Sequence, residues 1–125
     1  MTALLDSGAL IAIDKRDRKV GAMLRVLQRD GVPVHTSAGA VAQVWRDGQR
    51  QANLARVLPG IDIDPLDELA GKRVGELLRA NDTNDLVDAH VALLVPPDGR
   101  VLTSDEADIK TLLRTRRVKA VVIKV

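Results

Sequence analysis

Thr2-Ala3-Leu4-Leu5-Asp6-Ser7-Gly8-Ala9-Leu10-Ile11-Ala12-Ile13 decides the fold. A short apolar run reaches one carboxylate, and a second apolar run with helical spacing follows directly. That pattern predicts a strand feeding a helix. A strand placed so early in a chain of 125 residues is expected at the centre of a sheet. Open α/β sheets build their sites outside the C-terminal ends of such strands, and Asp6 stands at that end. A carboxylate beside a core loses much of its hydration. Asp6 can serve as the N-cap of the next helix, a role Asp favours, or as part of a site. Both roles stay open on this stretch alone.

Working outward, Ser7 to Ile13 reads as a short helix and Asp14 to Lys19 as a polar break. Val20, Met23, Leu24 and Leu27 mark one face of a second helix, which Gly31 closes. Val32-Pro33-Val34-His35 is a brief strand, with Pro33 favouring an edge or a strand start. Thr36-Ser37 caps a helix from Ala38 to about Arg46, and Gln49 to Leu58 is helical until Pro59-Gly60 stops it. Ile61-Asp62-Ile63-Asp64 alternates with period two, which predicts a strand with one wet face. Pro65 opens a helix through Arg79, and Asn81 to Asp85 is a cap-rich turn. Leu86 to Val95 is a helix apolar almost all round, hence buried. Val101-Leu102-Thr103 is a strand, Glu106 to Thr115 a helix, and Ala120-Val121-Val122-Ile123 a last strand. Strands alternate with helices throughout, which predicts a three-layer α/β/α sandwich with a central, mainly parallel sheet, one domain over residues 1–125.

Composition excludes several classes. Hydrophobic residues are 46% and charged residues 29%, a globular balance. One Trp, with no Tyr or Phe, leaves almost no platform for stacking bases. With no cysteine, disulfides, thiolate zinc sites and Cys nucleophiles are ruled out. The N-terminus reads as no signal peptide and no run reaches bilayer length, so a cytoplasmic protein with no membrane association is expected. Net charge is +2, but the charge is uneven. No acid follows Asp108, whereas Lys110, Arg114, Arg116, Arg117, Lys119 and Lys124 do, and Arg16, Arg18 and Lys19 form a smaller basic group. A basic face beside clustered acids suits a polyanionic substrate, although helices also end in basic residues for their own stability.

Three acids fall at the right ends of their elements. Asp6 ends the first strand, Asp105 ends the strand Val101–Thr103, and Asp88 lies in the first turn of the buried helix. Asp85 precedes Asp88 by three residues, and that spacing puts both on one helix face. Each can be an N-terminal capping or dipole-matching residue taken singly. If the two strands are neighbours, Asp6 and Asp105 share one sheet edge within reach of Asp88. Like charges about 4 Å apart repel by roughly 4 kcal/mol at an effective dielectric near 20. Hard divalent cations relieve this through oxygen ligands, Mg²⁺ typically taking one or two carboxylates. A metal-activated water and a neutralised phosphate are the chemistry of phosphodiester hydrolysis. His35 and His90, isolated from each other, make no zinc site, and His90 is expected to be packed. Ser7 and Ser104 flank acids without a His–acid relay, so hydrogen bonding around metal ligands suits them better than nucleophilic attack.

Leu4-Leu5-Asp6-Ser7-Gly8-Ala9-Leu10-Ile11-Ala12, Asp85-Leu86-Val87-Asp88-Ala89-His90-Val91-Ala92 and Val101-Leu102-Thr103-Ser104-Asp105 come in the order and spacing of PIN-domain ribonucleases. Over essentially its whole length the chain resembles the small VapC-type toxins of bacterial toxin–antitoxin pairs. The resemblance implies an endoribonuclease dependent on Mg²⁺ or Mn²⁺, a homodimer, and a cognate antitoxin whose tail enters the active-site groove. It implies Asp6 and Asp88 as the first metal ligands and catalytic residues, Asp105 as a third, and Asp85 and Asp108 as auxiliary acids. The family usually carries a Glu on the helix after the second strand, where this chain has Gln43. Gln supplies neither charge nor a general base, so a catalytically weakened module that binds RNA or protein is the alternative.

The expectation is therefore a toxin ribonuclease with Arg46, Arg114, Arg116 and Arg117 among the groups holding RNA, and an apolar helix face near Leu54 and Leu58 available for dimerisation. Asp6→Asn is expected to abolish cleavage with the fold intact. A receiver-like phosphoacceptor domain shares the layout, but the acidic pair and the late strand-end Lys it needs are missing.

Overall fold

The computed structural model describes residues 1–125. Five strands, β1 (Ala3–Leu5), β2 (Val34–Ser37), β3 (Asp62–Asp64), β4 (Arg100–Thr103) and β5 (Val121–Lys124), form one sheet in the order β3-β2-β1-β4-β5. Every pairing is parallel. Seven helices connect and cover them: α1 (Ser7–Asp14), α2 (Arg18–Arg29), α3 (Ala38–Val44), α4 (Ala52–Val57), α5 (Glu68–Asn81), α6 (Leu86–Leu94) and α7 (Glu106–Arg116). The fold is an α/β sandwich around a wholly parallel central sheet, the class expected from the sequence.

Alternation along the strands builds the two cores. Successive side chains point to opposite faces, so Leu5 and Leu102 join one buried cluster while Leu4 and Val101 join the other. The first cluster adds Leu10 and Ile13 of α1, Val20, Leu24 and Leu27 of α2, and Leu54 of α4. The second adds Val74 and Leu77 of α5, Ala89, Val91 and Ala92 of α6, and Ile109, Leu112 and Leu113 of α7. Both faces of the middle strands are dry, which is why β1 and β4 read as continuous apolar runs. Truncating a side chain such as Leu4 or Leu5 to Ala would cost about 2–5 kcal/mol.

Several boundaries differ from the sequence expectation for local reasons. Pro33 stands at the start of β2, one of its two expected places, and β2 is an interior strand because it pairs with both β1 and β3. α3 stops at Val44 because Trp45 turns to extended backbone. The helix expected from Gln49 starts only at Ala52: the Gln51 side chain is spent accepting from Arg46 N and Asp47 N and donating to the Val44 carbonyl. Pro59 then sits inside a 3₁₀ turn, Leu58–Gly60, that extends α4. Pro65 lies outside α5, whose N-cap is Asp67, accepting from Ala70 N at 2.9 Å. Ile61, just before β3, is buried, whereas Ile63 within this edge strand is exposed. Leu54, expected on a free apolar face, is 1% exposed inside the core, so that face is not open for dimerisation.

Candidate metal centre

β1 and β4 are neighbours in register, with Leu5 opposite Leu102. Their next residues therefore emerge together at the C-terminal edge, and Asp6 N donates to the Leu102 carbonyl at 3.2 Å. Asp6 is 2% exposed. It caps α1, one oxygen accepting from Ala9 N at 2.9 Å. Its other oxygen accepts from the Thr103 hydroxyl and from Ser104 N at 3.2 Å. Burial pushes its pKa up, and these three hydrogen bonds pull it back. Capping and membership of the edge cluster are both true of Asp6. The close approach of α1 to the β4 end requires Gly8, since a Cβ there would overlap the Ser104 side chain and sit 3.2 Å from its backbone nitrogen.

The same threonine frees Asp105. Asp105 holds the N-cap position of α7 but makes no side-chain cap bond. Thr103 Oγ1 instead accepts from Asp105 N at 2.8 Å. The Asp105 carboxylate is left to meet Asp88 and Asp108, and oxygens of these three residues lie within 4.8 Å of one another. Asp108, expected as auxiliary, belongs to this tight group; Asp6 stands beside it. Thr103 was not singled out as a site residue, although its place in Thr103-Ser104-Asp105 was the signal for it.

Asp88 occupies the first turn of α6, and Asp85 is that helix's N-cap, accepting from Asp88 N at 3.0 Å. Asp88 is 9% exposed, and its Oδ2 is buried with no hydrogen-bond partner. Its pKa is pushed up to about 8, first by burial, then by the charge of Asp85 and by Asp105, with Asp6 adding to it. The Asp108 carboxyl is also raised, chiefly by its hydrogen bond with Asp105 and that residue's charge. Two carboxylates 4.8 Å apart repel by roughly 3.5 kcal/mol at an effective dielectric near 20. Without a cation the cluster must keep protons. An orphaned buried oxygen among converging hard donors fits Mg²⁺ or Mn²⁺.

Around the acids, Ser7 donates its hydroxyl to Gln43 Oε1 on exposed ground, so position 43 of α3 does reach the opening of α1. Ser104 is exposed, its backbone bound to Asp6. A cleft of about 570 Å³ starts at Ser104 and Asp105 and runs past Lys110, Arg114 and Lys124. Arg114 is thus placed beside the acids, together with two lysines. Lys110 is ion-paired to Glu106 at 2.5 Å. The other expected arginines make different contacts. Arg116 donates to the carbonyls of Ala92 at 2.5 Å and Val95 at 3.0 Å, finishing α6. Arg46 folds onto the carbonyls of Ala42 and Trp45 at the end of α3. Arg117 is the left-handed cap of α7, with φ 58°.

Neither histidine joins the acids. His90 is 2% exposed and bonded through Nδ1 to Ser37 Oγ at 2.5 Å, and its pKa is lowered by burial. His35 bridges Asp64 at 2.8 Å and Asp62 at 3.5 Å.

No protein-family model and no curated protein matches this chain. Among solved structures, it is similar to a chain in the crystal structure of VapBC2 from Rickettsia felis bound to a DNA fragment from their promoter. The TM-score is 0.69 over 100% of this chain and 99% of that one, at 16% identity, a likeness of fold. No helix is long and apolar enough to cross a membrane.

Proposed function

We propose that the chain is a metal-dependent endoribonuclease of the PIN type, one domain over residues 1–125, acting as the toxin of a toxin–antitoxin pair. The observation that carries this is the unpartnered, buried Asp88 Oδ2 facing the carboxylates of Asp105 and Asp108. The fold shared with a chain of a VapBC2 complex supports the toxin class and an antitoxin partner. A homodimer follows from the same family resemblance.

Asp88, Asp105 and Asp108 would hold Mg²⁺ or Mn²⁺, with the remaining acceptor capacity of Asp6 at the edge of the group. When bound, such a cation supplies a polarised water and offsets charge on a phosphate. The chain's own residues do the rest. Asp6, fixed by Ala9 N, Ser104 N and the Thr103 hydroxyl, locks the two strand ends together. Thr103 passes that alignment to Asp105 by accepting from its backbone. Arg114 and Lys124, beside the acids, receive phosphates on the substrate's approach. Asp85, exposed and charged next to Asp88, keeps the site negative.

A binding-only module is the second reading, favoured by Gln43, which engages Ser7 and brings no charge. Cleavage of total cellular RNA by the purified protein in Mg²⁺, Mn²⁺ and EDTA, with Asp88→Asn as control, separates the two. Discrete fragments that need metal and vanish in the control are expected. A folded protein that binds RNA but cuts none under any condition would leave the binding module in its place.

A further inference from the structure

A second basic surface lies well away from the acids. α2 and α4 flank an open cleft of about 690 Å³ whose walls carry Arg16, Arg18, Arg25 and Arg56. Its one acid, Asp17, is tied down as the N-cap of α2, accepting from Val20 N at 3.0 Å. The whole chain has 19 cations and 17 acids. These five residues give the cleft four cations against one acid, in a chain whose net charge is only +2.

The cleft is organised. Asn53 donates to the Ile13 carbonyl at 2.6 Å, and Arg56 donates to Asn53 Oδ1 at 2.6 Å, so the α4 guanidinium is held at the end of α1. Arg25 lies over Gly21, where a Cβ would be 3.6 Å from its Nη1. Arg16, Arg18 and Arg25 form no ion pair with any acid. Only three of the twelve lining residues are hydrophobic, so a protein partner would find little of the apolar anchorage that dominates protein interfaces. Arginine and amide side chains around bare glycine backbone are instead the groups that contact phosphates.

We infer that this cleft holds the phosphodiester backbone of single-stranded RNA at a distance from the point of cleavage. The inference rests on the ribonuclease reading of the acids. The cleft reaches Ile13 at the far end of α1, and Asp6 caps the near end. The eight-residue helix spans about 12 Å at 1.5 Å per residue. RNA engaged at both ends of α1 would therefore be gripped about 12 Å from the acids, and substrates too short to reach the cleft would bind more weakly.

The test is binding, measured in EDTA so that no cleavage intervenes, by fluorescence anisotropy of a labelled single-stranded RNA about 20 nucleotides long. Arg18→Ala/Arg25→Ala is compared with Lys110→Ala/Arg114→Ala and the unaltered protein across a salt series. Both arginines of the cleft variant are exposed, so an unchanged melting temperature certifies its fold. The expected result is a Kd raised on the order of tenfold and a salt slope shallower by about 1.4, two phosphate contacts at about 0.7 each. Unchanged affinity in the cleft variant, with affinity lost in the Lys110/Arg114 variant, overturns the cleft and leaves the ribonuclease reading standing. An unaltered protein that binds no RNA overturns both. A polyglutamate peptide that binds at the cleft where RNA does not would replace RNA with an acidic protein partner.

Discussion

Asp88→Asn is expected to stabilise the metal-free protein, by an amount that grows with pH. In the folded chain Asp88 titrates at about 8 against an ordinary value of 3.8. Between those values the folded protein holds a proton that the unfolded chain has released. Stability from this group is therefore complete below about pH 4 and is lost as pH rises through about 8. At pH 7 the shift corresponds to roughly 4 kcal/mol at 1.36 kcal/mol per unit. Asp85 and Asp108 are open to water, which screens the cluster, so about 2 kcal/mol is the reasonable expectation. For a chain of 125 residues that is a melting shift of about 8 °C.

The assay is thermal unfolding followed by circular dichroism in EDTA, at pH 5 and pH 8. The Asn variant should melt about 8 °C above the unaltered protein at pH 8, with the gap closing toward pH 5. Mg²⁺ should reverse the order, since a ligand at 100 times its Kd adds about 2.7 kcal/mol to whichever protein binds it. A variant that melts lower at pH 8, or a gap indifferent to pH, would refute the claim that Asp88 is an unrelieved buried acid.

Three further outcomes follow from the same geometry. Mg²⁺ binding must displace the Asp88 proton, so its association constant should rise about tenfold per pH unit between pH 6 and 8, read by isothermal titration calorimetry; a flat profile would place the cation elsewhere. Thr103→Val removes the hydroxyl that donates to Asp6 and accepts from Asp105 N. A loss of about 2 kcal/mol in urea unfolding and a 10–100-fold weaker Mg²⁺ affinity are expected, and an unchanged affinity would make that hydroxyl merely structural. Gln43→Glu keeps the acceptor for Ser7 and adds a charge near the acids; tighter Mn²⁺ binding is expected, and no change would show that position 43 does not face the cation.

The sheet was legible because β1 and β4 are buried on both faces and so read as unbroken apolar runs, each ending in a polar residue of consequence. The tight acidic group was only partly legible. Asp88 and Asp108 meet because α6 packs on α7, a contact between residues twenty apart that no local pattern encodes. Asp105 is available because Thr103, not Asp105, satisfies the start of α7, a choice the sequence leaves open. Basic residues misled for a related reason. The run after Asp108 drew attention, yet Arg116 is spent on the α6 carbonyls. A second basic group, Arg16, Arg18 and Arg25 with Arg56, is assembled only where α2 and α4 flank one cleft.

Asp6 poses the sharper problem, because the sequence offered capping and site roles as alternatives and the structure joins them. An ionised carboxylate has about four acceptor positions. Ala9 N, Ser104 N and the Thr103 hydroxyl occupy three. In Asp6→Asn the amide oxygen can still cap α1, and the Thr103 hydroxyl can turn. Ser104 N cannot turn, so it faces an amide donor or loses its acceptor, at about 1–3 kcal/mol. Against this, the variant no longer buries a charge, and the raised pKa of Asp6 shows that burial outweighs its hydrogen bonds. The two effects oppose, and the melting temperature in EDTA should move little at pH 8. The same variant should bind Mg²⁺ poorly, because the Asp6–Thr103–Asp105 alignment is broken. A rise in melting temperature matching that of Asp88→Asn would mean that the three hydrogen bonds hold nothing in place, and that Asp6 is a second unrelieved acid.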